Sequence, residues 1–401
     1  MRALCLSLST LLLAACGGSS SGDDATTGMG TLRLALADAP ACGYDSVHVT
    51  VDRVRLHTSG SAPDSDAGWS ELVLPSPQRI DLLTLTNGVL AELGQTLLVQ
   101  GRYTQLRLVL APNTSANPLA NAVTPSGAAE VALDTPSATG PSGLKIPADI
   151  TVEATELADF IIDFDACQSV VRRGNSGAYG LKPVLRLLPR PAGAGHRVVG
   201  FVDPALAGAA VSVQSAGVPL VSTVPDPADG RFELYPVPVG SVSLVISAPG
   251  RATGVVSGVP VTADAPTAVN AATSPITLAD GVPRVVTATV TASPEPEAVQ
   301  LRVQQQLGDG TQIQVLALPA AGDGTPVDLT LPSVPPQVAA YVAGATGVLL
   351  VDDESPDTVG RYSVQAHLTP PSPALPQTKS LAVDIARTVP DPLPALAFDF
   401  P

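Results

Sequence analysis

Leu32, Leu34 and Leu36 alternate with Thr31, Arg33, Ala35 and Ala37, the period-2 spacing of a strand with one face in a core. The same spacing returns where Thr104, Leu106, Leu108 and Leu110 oppose Tyr103, Gln105 and Arg107, and where Phe160, Ile162 and Phe164 oppose Asp163 and Asp165. Leu181, Leu185 and Leu187 form the core face of LKPVLRLL, with Lys182 and Arg186 outward. Forty prolines and 35 glycines punctuate these Val/Leu/Thr runs, so the chain is expected to fold as many brief strands joined by turns, a mostly β class. In SVHVTVDRVRLH the apolar phase slips between Val51 and Val54, which predicts a β-bulge near Asp52 and Arg53. IDLLTLTNGVLAELG has helical spacing broken by Asn87-Gly88, predicting one short helix or two turns.

The amino terminus reads differently. Its apolar run from Ala3 to Ala15 is about half the roughly 20 residues of a spanning helix, so residues 1–15 are read as a signal peptide. Leu13-Ala14-Ala15-Cys16 resembles the lipobox of bacterial lipoproteins. That resemblance implies cleavage before Cys16, diacylation of its thiol and acylation of the new amino terminus. Three acyl chains, each buried CH₂ contributing about 0.8 kcal/mol, would hold the chain to a membrane. Residues 16–29 follow as a Gly/Ser tether, and Gly17 after the cysteine favours the outer membrane. The alternative is a secretory signal cleaved without lipidation.

Composition limits the partners. With 21 Lys+Arg against 36 Asp+Glu and a net charge of −15, the chain lacks the clustered cations that nucleic-acid binding needs. Aromatic residues are 3% of the chain and Trp69 is the one tryptophan, leaving few stacking platforms for sugars or bases. Of four cysteines, Cys5 leaves with the signal and Cys16 carries lipid, so Cys42 and Cys167 form one disulfide candidate in an oxidising compartment. Two buried thiols or an intermolecular link are the alternatives.

Residues 30–189 carry a more specific signal. GTLRLALADAP, YDSVHVTVDRVRLH, GWSEL, IDLLTLTNGVLAELG, GRYTQLRLVL, PSGLKI, DFDACQSVV and YGLKPVLRLLP together resemble the DUF4382 family of envelope lipoprotein domains. The resemblance implies a mostly β domain beginning soon after a lipid tether, and, as in the Cys-containing members of the family, cysteines where Cys42 and Cys167 stand; it supplies no activity. Between Asn113 and Thr139 a Pro/Ala-rich loop is expected. In residues 196–280, DGRFELYPVPVGSVSLVISAPG resembles the carboxypeptidase regulatory-like, transthyretin-like module, which implies a β-sandwich acting as spacer or binding scaffold, with Phe232, Leu234, Val242, Leu244 and Ile246 inward. Residues 282–401 are read as a second β-sandwich. It is either a diverged repeat, since segments 197–214 and 229–240 have counterparts at 284–304 and 323–336, or a chance likeness of Val/Ala/Pro strands.

Few residues suggest chemistry. Ser142-Gly143-Leu144-Lys145 fits S-x-x-K without the companion elements or a helix start, and Gly174-Asn175-Ser176-Gly177 reads as a hairpin turn. His48 and His57 lie nine residues apart in one strand, about 30 Å, too far to share a metal; with His196 and His367 they are expected as exposed histidines. Carboxylates remain. Asp159, Asp163 and Asp165 are candidate ligands for a hard cation such as Ca²⁺, as are Asp64 with Asp66, and Asp352, Asp353, Glu354 and Asp357 in turn-like segments. Capping, solvation or pairing with Lys182 and Arg186 would explain them equally well. The favoured reading is a non-catalytic, lipid-anchored envelope protein meeting an envelope protein or polysaccharide. The alternative is a calcium-dependent carbohydrate-binding protein or hydrolase using the Asp159/Asp163/Asp165 cluster.

Overall fold

The computed structural model describes residues 28–38, 43–136, 138–140, 142–173, 177–206, 208–296, 298–356, 358–370, 374–386, 389 and 391–401. No helix among them is long and apolar enough to cross a membrane. Strands β1 (Met29–Asp38), β2 (Tyr44–His57) and β3 (Ser70–Asp81) lead through a 3-10 turn at Leu82–Thr84 to β4 (Ala91–Val99) and β5 (Gly101–Leu110). Short strands β6 (Ala122–Pro125) and β7 (Val131–Asp134) precede β8 (Leu144–Val152) and β9 (Leu157–Phe164). After one helical turn, α1 (Ala166–Ser169), come β10 (Val170–Arg173), β11 (Ala178–Leu181) and β12 (Leu185–Pro189). They form two sheets, in the orders β12-β9-β1-β4 and β10-β11-β7-β6-β2-β5-β8, with β3 also paired to β2.

The core between these sheets explains the pattern in the sequence. Leu32, Leu34 and Leu36 from one sheet meet Val47, Val49, Val51, Val54 and Leu56 from the other, all fully buried. The register of β2 shifts between Val51 and Arg53 against both β3 and β5. One extra residue there turns Val54 and Leu56 back to the face that Val51 occupies, the bulge the phase slip predicts. The helical spacing of IDLLTLTNGVLAELG is realised only in part. Asp81 caps the 3-10 turn by accepting from the Leu83 amide, and Asn87 and Gly88 turn with positive φ. Ala91 to Gly94 are strand, because β4 hydrogen-bonds along β1 as far as Leu36↔Ala91.

The second unit holds β13 (Val198–Phe201), β14 (Ala210–Ser215), β15 (Val218–Thr223), β16 (Arg231–Leu234), β17 (Gly240–Ser247), β18 (Gly254–Val261) and β19 (Thr267–Ala268). The third begins with β20 (Pro283–Ala292), β21 (Ala298–Gln306), β22 (Gln312–Pro319) and β23 (Val327–Pro332). It continues through β24 (Gln337–Ala340), β25 (Val351–Asp352), β26 (Arg361–Thr369), β27 (Gln377–Asp384) and β28 (Leu396–Phe400). In the second unit β16-β13-β19 faces β15-β14-β17-β18; in the third β23-β20-β28 faces β22-β21-β26-β27. With β24 and β25 set aside, the two connectivities are identical strand for strand. β13 pairs antiparallel with β16 and parallel with β19, as β20 does with β23 and β28. The matched segments 197–214 and 284–304 cover β13–β14 and β20–β21, and 229–240 and 323–336 contain β16 and β23. Phe232, Leu234, Val242, Leu244 and Ile246 all lie in the second core.

One segment crosses the expected division at 282. β24 pairs parallel with β18 and then with β25, so residues 337–352 extend the second unit's sheet. The physical reason is the open edge of β18, whose unpaired backbone groups this excursion satisfies.

Gly230 tests the second unit's turn. It has φ +74° and a Cβ there would lie 1.8 Å from the Val202 carbonyl oxygen, whereas Gly250 at φ +72° has nothing within 4 Å. Gly250→Ala should cost roughly the 1–2 kcal/mol of a left-handed backbone, and Gly230→Ala clearly more. Equal urea midpoints for the two variants would contradict the turn geometry.

Candidate functional site

Strand register decides the fate of the three aspartates. β9 runs parallel to β1 and antiparallel to β12, which sets Asp159 beside Arg33 and Asp163 beside Arg186. Asp159 is bound by the Arg33 guanidinium, and Asp163 accepts from Arg186 Nη2 at 2.6 Å and Nε at 3.1 Å. Asp165 has left the strand. One of its carboxylate oxygens accepts the Gln168 amide N–H at 2.9 Å, capping α1, and the other accepts from the Gln168 side chain. Asp159 and Asp163 are four residues apart, about 13 Å along a strand, so the proposed cluster is not brought together. Among the described residues no group of three or more His, Cys, Asp or Glu is placed to hold a metal ion.

The face of β9 and β12 that carries these charges is not a solvated one. Ile161 and Asp163 are buried as well as Ile162 and Phe164, because the other two units pack there. Arg186 Nη1 donates to the Pro219 carbonyl at 2.9 Å. Lys182, expected outward, donates from Nζ to the carbonyls of Pro296 and Ala321 at 3.1 and 3.3 Å and lies 3.6 Å from Glu295; burial lowers its pKa. The Asn87 amide donates to Thr223 Oγ1 at 2.8 Å, and Asn87 Oδ1 accepts from the Glu233 amide at 3.1 Å. Second and third units are clasped by Gln214, whose side chain accepts from the Gln314 N–H and donates to its carbonyl, both at 2.8 Å.

Where the three units meet they enclose a cleft of about 340 Å³. Asp165 and Arg186 of the first unit, Ser212 and Gln214 of the second, and Gln300 and Arg302 of the third are among its walls. Val299, Leu301 and Val303 alternate into the third core, which turns Gln300 and Arg302 to the cleft. Arg302 donates from Nη2 and Nε to Gln300 Oε1 at 2.7 and 3.2 Å; burial, then the nearby Arg186 charge, lowers its pKa. Asp165 is pushed up to about 6, chiefly by burial and further by the Asp163 charge, against the opposing Gln168 hydrogen bonds.

The remaining candidates are absorbed into packing. His57 is buried, contrary to the expectation of an exposed strand histidine. Its Nδ1 accepts the Ser59 amide at 2.8 Å, and its Nε2 lies 3.2 Å from Asp66. Trp69 is flanked by His57 and by the guanidinium carbons of Arg55 and Arg107, 4.5 and 4.4 Å from its ring centroid. Arg107, 1% exposed, pairs with Asp64 and donates to the Ala62 and Ser142 carbonyls. Ser142 Oγ donates to Asp64 at 2.7 Å, so the S-x-x-K serine and the Asp64/Asp66 turn serve one structural lock. His48 lies 3.2 Å from Glu130, His196 meets the Val237 carbonyl and His367 meets Thr378. Asp353 accepts from the Gly308 and Ser355 amides, and Asp352 from Gln337. Cys167 stands on α1 and is disulfide-bonded. Residues 1–27, Cys42, residues 174–176 and Asp357 lie outside the described residues, so the signal, Cys16 and most of the tether do as well.

The family described as Domain of unknown function (DUF4382) matches residues 29–183. No curated protein matches the chain. Among solved structures, a variant of the major pilin subunit of Bacillus cereus aligns at 10% identity over 92% of this chain and 99% of that one, with a TM-score of 0.13. At that score the likeness carries no structural argument.

Asp165 should be visible in the pH dependence of stability. Its folded pKa of about 6 lies above the ordinary 3.8, so folding takes up a proton between those values and stability falls as pH rises through that window. Asp165→Asn retains an oxygen for the cap but not the titration. The wild-type melting temperature minus that of the variant is expected to decline from pH 4 to pH 7; a constant difference would contradict the buried carboxyl.

Proposed function

We propose that this chain is a non-catalytic, lipid-anchored protein of the cell envelope, in which a DUF4382-type unit and two sandwich modules form a binding or structural scaffold. The observation that carries the reading is the docking itself. Charged and amide side chains that alternation or a turn would give to solvent, Arg186, Lys182, Asn87 and Gln214, instead tie each unit to another. A chain with freely swinging modules would have no use for these half-buried ties. The second module is read as the carboxypeptidase regulatory-like type on the strength of DGRFEL and SVSLVI, whose apolar residues fill its core.

The anchor rests on LLLAAC and the Gly/Ser stretch after it, with the outer membrane favoured by Gly17. The partner class is an envelope protein or polysaccharide. Cys42 is assigned as the partner of Cys167, since Cys5 and Cys16 belong to the leader and the lipid site. Closing a loop of that length is worth roughly 4–5 kcal/mol in the chain-entropy picture. The calcium-dependent alternative finds no support in the separate pairing of Asp159, Asp163 and Asp165.

Two measurements test this. Cys16→Ala should move the protein from the membrane fraction to the soluble envelope fraction; retention of the variant at the membrane would defeat the anchor. Cys42→Ser and Cys167→Ser should each lose about 2–5 kcal/mol of stability, and the double variant no more than either, because both remove the same bond. Additive losses would defeat the pairing.

A further inference from the structure

We infer that the cleft between the three units is a binding site for a small carboxylate-bearing ligand, with Arg302 as its anchoring cation. The inference is independent of where the chain is held. The chain as a whole carries −15, and this cleft is lined by two arginines, Arg186 and Arg302, and one aspartate, Asp165, with Asp163 as the ion-pair partner of Arg186. The three lining groups are not equally committed. Arg186 spends Nε and Nη2 on Asp163 and Nη1 on the Pro219 carbonyl. Both oxygens of Asp165 accept from Gln168. Arg302 makes no ion pair among the described residues; its two hydrogen bonds converge on the single amide oxygen of Gln300. A guanidinium carries five N–H groups, so most of its donor capacity is unspent.

That imbalance is costly without an occupant. Arg302 is half-buried and close enough to Arg186 for repulsion to count. An anion seated between the two guanidinium groups would relieve both burdens. The pairing pattern selects the class. Arg302, the one arginine of the cleft without an ion pair among the described residues, suits a monoanion, and a second negative charge on the ligand would face Asp165. A planar fork of N–H donors matches the two coplanar oxygens of a carboxylate. The hydroxyls of Ser212, Ser222 and Ser247 line the same space and suit a ligand bearing hydroxyl or amide groups. A volume of about 340 Å³ lies within the roughly 300–1,000 Å³ of small-molecule sites, which favour junctions between units. Because all three units supply walls, their docking builds the site.

Calorimetric titration of the full chain, purified in mild detergent, tests the inference. Sodium glucuronate and sodium N-acetylglycinate present a single carboxylate on a sugar and on a peptide-like frame; glucose and sodium sulfate, at matched ionic strength, are the neutral and dianionic probes. Saturable binding of at least one carboxylate is expected, with none of glucose. Affinity should fall at least tenfold in Arg302→Gln and partly recover in Arg302→Lys. Arg251→Gln, which alters an exposed pair with Asp280, should bind as wild type does. Binding of neither carboxylate, equal affinity in Arg302→Gln with an unchanged melting temperature, or sulfate competing as well as the carboxylates would each overturn it. If Arg302→Gln does not fold, undiminished binding by Arg302→Lys would do the same.

Discussion

Arg186 is the side chain on which the assembly of this molecule turns. It lies on β12, neutralises the buried Asp163 of β9, and reaches past it to the Pro219 carbonyl of the second unit. Hydrogen bonds to charged groups contribute about 1.5–3 kcal/mol where buried, and less here because Arg186 is itself partly exposed. Without it, Asp163 would be left beneath two packed units with no partner, a far larger penalty than the bonds are worth. A polar strand face thereby becomes an interior, and the second and third units can be added against it.

The same solution recurs between the second and third units. Gln214 answers both the N–H and the carbonyl of Gln314, the pair of bonds a neighbouring strand would make, without a strand being there. β24 supplies a true strand to the edge of β18. Both devices satisfy backbone groups that would otherwise be buried unpaired where modules meet. Two units of one connectivity are thus joined by side-chain mimicry at one place and by an inserted strand at another. The third unit's core even includes Val245 and Val255 of the second, so the boundary between them is a shared apolar surface.

Much of the architecture was legible in the chain. Leucines 32, 34 and 36 fill the core as their alternation predicts, the bulge falls where the valines of β2 change phase, and the segments matched between 197–240 and 284–336 occupy equivalent strands. Alternation misleads where the face opposite the core is not solvated. Arg107 and Gln105 oppose the leucines of β5, yet both are buried, because the loop carrying Asp64 and Trp69 folds over them. His57 is buried for the same reason. Asp159, Asp163 and Asp165 are close in sequence, but strand register gives the first two an arginine each and the helical turn takes the third. Nothing in the sequence marks Arg302, since QLRVQ alternates like any half-exposed strand.

Residue order by itself determined the alternating strands, their core faces and the bulge, because each is written in spacings of a few residues. Only tertiary structure decided which outward faces stay wet and which charges find partners. Those outcomes depend on groups more than a hundred residues apart, as with Arg33 and Asp159, Lys182 and Pro296, or Arg186 and Arg302. A two-residue period records that a side chain points away from its own core; it holds no record of what the rest of the chain will bring to meet it.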